Sequence, residues 1–450
     1  MAGTFVAQTK VRPGAYIVFK GTKESNPALG RRGIVAIPME LSWGDTSKLI
    51  RVTAEDFMYD RTLKLIGLRS SDAAAQPLRE LFKNASVALV GRLNTSKGTS
   101  AVATKTLSDG AVTFTAVCSG EFGNKLQVAC VANTVLNTLE LITVADGTEV
   151  DRQTVTNVAS FVENGWITVS AAQQDIEFEA FAGEALTGGA NGDAVTADDY
   201  TAFMTKASGE VWNVMAVTTT TLNVQASVKT YIENLRENVG KKVQAVVYNY
   251  SAANYEGIIS IDQGYKLGDE VVPVSSAIAY IAGMTAGAEI YESNTYHVIE
   301  GATEIVPAKS DTEIDSGLLT GKMILAYRQD RAVVIEKDIN TLYNLPEDRN
   351  IAFTKNRVIR CLDDIATQVG ILFENSFLGK VTNDESGRTL FKGAVIGYMN
   401  RLQGLGAIQN FDSNTDIDVS AGNDIESVVV NLAIQPLDSM EKLYMTVQVS

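Results

Sequence analysis

Two changes of rhythm divide this chain, and no single hydrophobic core can serve all of its parts. Between Thr95 and about Leu186 it is rich in Thr, Val, Gly and Asn, with short alternating runs at Val112–Val117, Leu126–Val131, Leu139–Val144 and Trp166–Val169. Gly120, Gly123-Asn124, Asp146-Gly147 and Asn164-Gly165 separate these runs. A side-chain period of two, broken by turn formers, predicts an all-β sandwich or small barrel. Gly188-Gly189 and Gly192 mark the exit, and the pattern then alternates between helix and strand. Thr196–Ala207 predicts a helix, capped by Thr196 with Asp198-Asp199 in its first turn. Leu222–Val239 predicts another, with Val224, Val228, Ile232, Leu235 and Val239 on one face and Gly240 as its stop. Ser275–Met284 is a third helix; Val211–Val217, Val243–Tyr248, Ile324–Tyr327 and Val333–Glu336 read as strands. Such alternation predicts a mostly parallel sheet flanked by helices.

Strand-like runs also precede the β-rich part: Ala15–Phe19 after Pro13-Gly14, Gly33–Pro38 and Val87–Val90, with a helix at Ser71–Asn84 that Pro77 weakens. The β-rich part therefore reads as an insertion. We expect a multidomain α+β chain: an N-terminal arm and strand at 1–20, an N-terminal part of the core at 21–93, an inserted β-sandwich at 94–187, an α/β domain at 188–343 and a C-terminal α+β domain at 344–450.

In that last domain Lys355–Phe373 carries Val358, Leu362, Ile365, Val369 and Phe373 at helical spacing, and Thr389–Leu402 carries Phe391, Val395, Tyr398 and Leu402. Ser427–Gln435 alternates Val428, Val430, Leu432 and Ile434 on one face; Leu443–Val449 alternates Leu443, Met445, Val447 and Val449. Two strands make a marginal sheet with two open edges. A strand at a free chain end either pairs at home or completes a neighbour's sheet, and the second option turns a subunit into a link of a polymer.

The 450 residues carry a net charge of −15, which argues against a phosphate-binding surface as the main activity. Cys118, Cys130 and Cys361 form no CxxC pair and do not suggest a disulfide framework. Met1–Lys10 lacks the basic and apolar regions of a signal peptide, and no apolar run is long enough to span a bilayer. We expect synthesis and assembly in the cytosol.

The search for chemistry is mostly negative. His297 is the only histidine, so a nucleophile–histidine arrangement would rest on it alone, and no G-x-S-x-G elbow is present. Gly317–Met323 falls short of a phosphate-cradling loop: three residues separate its glycines where four are needed, and Met323 follows the lysine. Gly188–Asp193 lacks the alternating acids of a calcium loop and reads as a domain-boundary turn. Asn383-Asp384-Glu385 reads as loop charge at a helix start, and Asp363-Asp364 as an exposed helix face. Lys355, Arg357 and Arg360 cluster at a helix start, where cations oppose the helix dipole. They read as solvated surface, or as a contact to a partner whose counter-charge removes that penalty. We expect no cofactor and no metal.

Seven places in the chain together resemble the contractile phage tail sheath family. Arg12–Tyr16 resembles the family's N-terminal strand, Gly120–Asn124 (GEFGN) its β-sandwich insert, and Leu186–Tyr200 (LTGGANGDAVTADDY) the start of its subtilisin-like α/β domain. Val333–Leu342 (VVIEKDINTL) resembles that domain's exit. Lys355–Ile365 (KNRVIRCLDDI) and Gly387–Leu402 (GRTLFKGAVIGYMNRL), with Met440–Val449 (MEKLYMTVQV), resemble the C-terminal domain. Each motif is weak alone; order and spacing make them specific, and relatives in Gram-positive phages and phage-like elements are closest in character.

The resemblance implies a structural subunit, not an enzyme: stacked hexameric rings around a tail tube that contract to drive the tube through a bacterial envelope. It implies arms that add strands to neighbouring C-terminal domains. Those arms are Ala15, Tyr16, Ile17, Val18 and Phe19 at one end and Tyr444, Met445, Thr446, Val447, Gln448 and Val449 at the other. The acceptor would be Val428, Val429, Val430, Asn431 and Leu432, and Lys355, Arg357 and Arg360 are candidate tube contacts. Implied partners are further copies of the chain, the tube protein, and baseplate and tail terminator proteins, without nucleic acid or membrane insertion. The place of action would be a virion tail or a bacteriocin particle. The alternatives are the sheath of a phage-tail-like bacteriocin or other contractile injection system and, remotely, an α/β hydrolase relying on His297. A secreted adhesin is disfavoured by the lack of a signal peptide.

Overall fold

The computed structural model describes residues 32–94, 100–107 and 111–449. The expected N-terminal arm, Ala15–Phe19 included, lies outside the described residues. Two compact units emerge, one formed by 32–364 with 438–449 and one by 365–437.

The larger unit is built on a six-stranded sheet of β1 (Ile34–Met39), β2 (Ile50–Thr53), β3 (Val87–Arg92), β4 (Val214–Ala216), β5 (Gln244–Tyr248) and β6 (Ile258–Ile261). Its order is β6-β5-β4-β1-β3-β2. Every pairing is parallel except that of β2 with β3, as the strand–helix alternation predicts. The strands are apolar on both sides, as a sheet covered on two faces requires. Along β1, Val35, Ile37 and Met39 enter one core and Ile34 and Ala36 the other. The first core is closed by α1 (Gln76–Phe82) and α4 (Val274–Gly287), the second by α2 (Ala197–Ser208) and α3 (Leu222–Asn234).

Pro77 does not break a helix. It sits in the first turn of α1, where its missing N–H costs no bond. Helices α1 and α4 touch backbone to backbone: a Cβ on Gly283 would lie 2.4 Å from the Leu81 carbonyl oxygen, and one on Gly287 2.2 Å from that of Asn84. The expected strands Leu325–Tyr327 and Val333–Ile335 form, but as an antiparallel hairpin outside the main sheet. Five residues separate them, too few for a crossover.

The β-rich segment is a sandwich. Phe181–Ala185, Leu126–Asn133, Thr138–Ala145 and Thr148–Val155 form one antiparallel sheet; Val102–Leu107, Val112–Ser119 and Ile167–Ala171 form the other. Phe114, Phe122, Leu126, Leu141, Trp166 and Phe178 fill the space between them, joined by Trp43 from the surrounding domain. The Trp43 ring lies 5.5 Å from Phe122 and 6.0 Å from Trp166. Arg69 pairs with Asp146 at the same border. The neck is narrow: the Gly192 amide donates to the Asn94 carbonyl at 3.1 Å, and Ala101 and Ala190 exchange two bonds of 3.1 Å.

Helix α5 (Asn356–Ser376) starts in the larger unit. From Ile365 onward its residues belong to the smaller one, with α6 (Glu385–Gly404), β7 (Ile417–Ala421) and β8 (Val428–Leu432). Phe373 and Phe377 meet Phe391 edge-on at 5.4 and 4.9 Å. Asp384 caps α6 through the Gly387 amide at 2.7 Å.

Candidate assembly site

The site begins with the segment VVIEKDINTL, whose polar end is buried: Asp338, Asn340 and Thr341 are all enclosed. Each has a structural task. Thr341 Oγ1 donates to the Tyr255 carbonyl at 3.0 Å, and Asn340 Nδ2 to that of Phe353 at 2.8 Å. Asp338 Oδ1 accepts from Asn356 Nδ2 at 2.8 Å, and Oδ2 from Arg360 Nη2 and the Asn294 amide, both at 3.1 Å. Two of the segments quoted from the sequence therefore meet in space, one supplying the carboxylate and the other its donors. Buried charges persist when paired and hydrogen-bonded in this way.

One turn further along α5, Asp363 takes a fork from Arg236, with Nη1 to Oδ2 at 2.7 Å and Nη2 to Oδ1 at 2.8 Å. Burial works against the Arg236 cation, but the Asp363 carboxylate outweighs it and holds the guanidinium above its ordinary pKa. Burial pushes the Cys361 thiol up to about 12, so it is inert at neutral pH. Asp363 and Asp364 are buried, which corrects the expectation of an exposed acidic face. A counter-charge on another element reverses the preference of a carboxylate for water.

The basic cluster is corrected on the same ground. Arg360 is enclosed between Asp338 and the Glu292 carbonyl, which accepts from its Nη2 at 2.7 Å. Lys355 is enclosed as well; its Nζ pairs with Glu441 and, at 3.3 Å, with Asp438. Neither offers an open cationic face. Arg357 is half-buried, and burial lowers its pKa. The counter-charge expected from a partner is supplied to Lys355 by the chain's own C-terminal segment.

Glu441 is fixed from a second side, since its Oε1 accepts from Thr295 Oγ1 at 2.9 Å, and that hydroxyl in turn accepts from the Asp338 amide at 3.0 Å. Past this point the chain is extended and forms no strand. Leu443 is 84% exposed, Tyr444 88% and Val449 93%, with Met445 and Val447 also open to solvent. The predicted alternating segment is present, but it does not pair at home. Val428–Leu432 does form a strand, β8, with Val428, Val430 and Leu432 half-buried and Val429 and Asn431 exposed. It pairs with β7 alone, so each keeps one edge without a strand among the described residues.

Sequence reasoning missed Asp338, Thr295, Asp438 and Glu441. The signal for Glu441 was its place: an acid between Met440 and Leu443, at the root of an apolar alternating run. Elsewhere the chemistry stays sparse. His297 is half-buried, and its amide donates to Asn294. Gly317 lies in the last turn of the helix Asp311–Leu319 and Lys322 pairs with Asp262 at 3.2 Å, so Gly317–Met323 makes no phosphate loop. Among the described residues no group of three His, Cys, Asp or Glu side chains is placed to hold a metal, and no helix is long and apolar enough to cross a membrane.

Comparison with known proteins places this arrangement. Four family descriptions match in succession: the tail sheath protein Gp18 domain III N-terminal region at 32–93, the phage tail sheath β-sandwich domain at 96–191, the central domain at 193–341 and the C-terminal domain at 348–450. The phage-like element PBSX protein XkdK of Bacillus subtilis is 32% identical, over 100% of this chain and 99% of its own. A solved sheath tail protein from Desulfitobacterium hafniense is 34% identical with a TM-score of 0.80, covering 97% of this chain and 100% of its own. One from Listeria innocua is 30% identical with a TM-score of 0.81, covering 94% and 96%. The helical sheath of the anti-feeding prophage in its contracted state, at 10% identity and a TM-score of 0.58 over 98% of this chain and 100% of its own, shares the fold. The chain thus belongs to the contractile phage tail sheath family, as a structural subunit, not an enzyme, that polymerises and contracts.

Proposed function

We propose that this subunit is linked into its sheath by strand exchange. Tyr444–Val449 of one copy pairs with Val428–Leu432 of another, and Ala15–Phe19 supplies a second added strand. The observation that carries this reading is a matched pair: an exposed alternating segment without a strand partner, and a two-stranded sheet with bare edges. Backbone bonds give affinity and alternate side chains give register. At about 1 kcal/mol net per hydrogen bond, a few bonds per arm suffice when repeated along a polymer.

The subunits stack as hexameric rings around a tail tube, bounded by baseplate and terminator proteins, in a virion tail or a bacteriocin particle assembled in the cytoplasm. Contraction moves rigid subunits while the arms stay threaded, and new contacts between the α/β domains, here read as subtilisin-like, drive it. The domain limits are those expected above, at 93/94, 187/188 and 343/344. Of the three basic candidates only Arg357 retains surface to offer a tube.

The test is removal of residues 442–450. The full chain is expected to form uniform hollow tubes in negative-stain electron microscopy; the trimmed chain is expected to stay monomeric with an unchanged melting temperature, since the removed residues bury little. Tubes from the trimmed chain would refute strand exchange through this arm.

A further inference from the structure

At the root of the C-terminal segment the usual preference of side chains is inverted. Glu441 and Lys355 keep only 15% and 11% of their side chains exposed, while the apolar residues on both sides of Glu441 lie open to solvent. A segment that merely trailed from the surface would bury Met440 and Leu443 and leave the acid in water. The acid docks instead, and on groups that are themselves immobilised. Thr295 is held by the Asp338 amide, Asp338 by Asn294, Asn356 and Arg360, and Lys355 precedes the first turn of α5. Lys355 pairs with the Glu441 carboxylate, and Lys337, which feels Lys355, Glu441, Lys442 and Asp438, belongs to the same cluster, so cations prevail there.

We infer that Glu441 is a positioning residue for assembly: docked between Lys355 and Thr295, it fixes where the exchanged arm leaves the subunit and puts the pivot at Lys442. This rests on the strand-exchange reading above. The clamp shortens the free arm to the residues that pair. Without it only the longer Asp438–Lys355 contact holds the chain past Leu437, and the segment searches a larger volume for its acceptor, at a lower effective concentration.

Two readouts test this on the full chain. In backbone NMR relaxation of the monomer, residues 438–441 are expected to be ordered and 443–449 mobile in the parent. In Glu441→Gln residues 440–441 are expected to become mobile as well. In assembly, Glu441→Gln and Lys355→Met are each expected to raise the protein concentration needed for tubes about tenfold, equivalent to about 1.4 kcal/mol. The double variant is expected to cost less than the sum of the two single ones, because both remove the Glu441–Lys355 pair while Asp438 and Thr295 each keep a contact of their own in one of them. Glu441 lies on an otherwise exposed segment, so its variant stays folded even if Lys355→Met does not. Mobile residues 440–441 in the parent, or parent-like assembly by Glu441→Gln, overturns the clamp. If Glu441→Gln assembles normally while the chain lacking 442–450 does not, only the clamp fails. If the trimmed chain also assembles, strand exchange fails with it.

Discussion

Asp363 illustrates how far a residue's chemistry depends on a partner remote in sequence. Adjacent acids at the start of a helix suggest a solvated face, because sequence gives spacing along one element and not what packs against it. Here the partner is Arg236, 127 residues away. Removing one half of such a pair leaves the other buried without a counter-charge, so Asp363→Ala is expected to cost about 3–5 kcal/mol, measured by urea unfolding. Asp363→Asn, which keeps part of the hydrogen bonding, is expected to cost less. Asp146 gives a pH dependence. The hydrogen bond from Arg69 holds its carboxyl below the usual carboxylate range, with Lys125 adding to the effect. A depressed acid contributes stability above its unfolded pKa and loses it as pH falls through the lower folded value. The border between insert and core should therefore weaken as acid is added below the ordinary carboxylate range. In thermal unfolding followed against pH, Asp146→Asn is expected to flatten that part of the profile.

Elements were legible where their own pattern decided them. The helices α2, α3 and α4, four of the sandwich strands and four of the five parallel strands follow from periodicity, Ile258–Ile261 being the parallel strand not foreseen, and Gly240 adopts the left-handed conformation, φ 81°, where the helical stretch stops. The Leu325–Ile335 hairpin was legible as two strands but not as a hairpin apart from the sheet, since pairing is a property of two segments and of the short link between them. The terminal segment shows the same limit: its alternation is plain in the sequence, yet an alternating run becomes a strand only beside another. Gly120 belongs to this scale too. In GEFGN it adopts φ 123°, and a Cβ there would stand 2.1 Å from the Ser42 carbonyl oxygen. Gly120→Ala is expected to destabilise the fold by about 1–3 kcal/mol. Gly147→Ala, at a positive φ with open space around it, is expected to lose less. Comparing the two melting temperatures separates the clash from the backbone strain.

For the whole molecule, the order of seven weak motifs carried the family, while the Asp338 network and the Glu441 clamp needed coordinates, being made of residues from four separated stretches of chain. The insert is where this scale yields its own prediction. Its residues share one core with Trp43 and Leu63 of the surrounding domain. Replacing 95–191 by a short Gly/Ser loop is expected to leave a cooperatively unfolding α/β sheet only if Trp43 and Leu63 are also made polar. With them intact, light scattering should report aggregation. The neck between Asn94 and Gly192 then acquires another meaning. Two chain crossings, a socket for one tryptophan and an Arg69 ion pair are what a replacement module has to match. A module that meets these three demands can be exchanged without repacking the six-stranded sheet or the C-terminal segment.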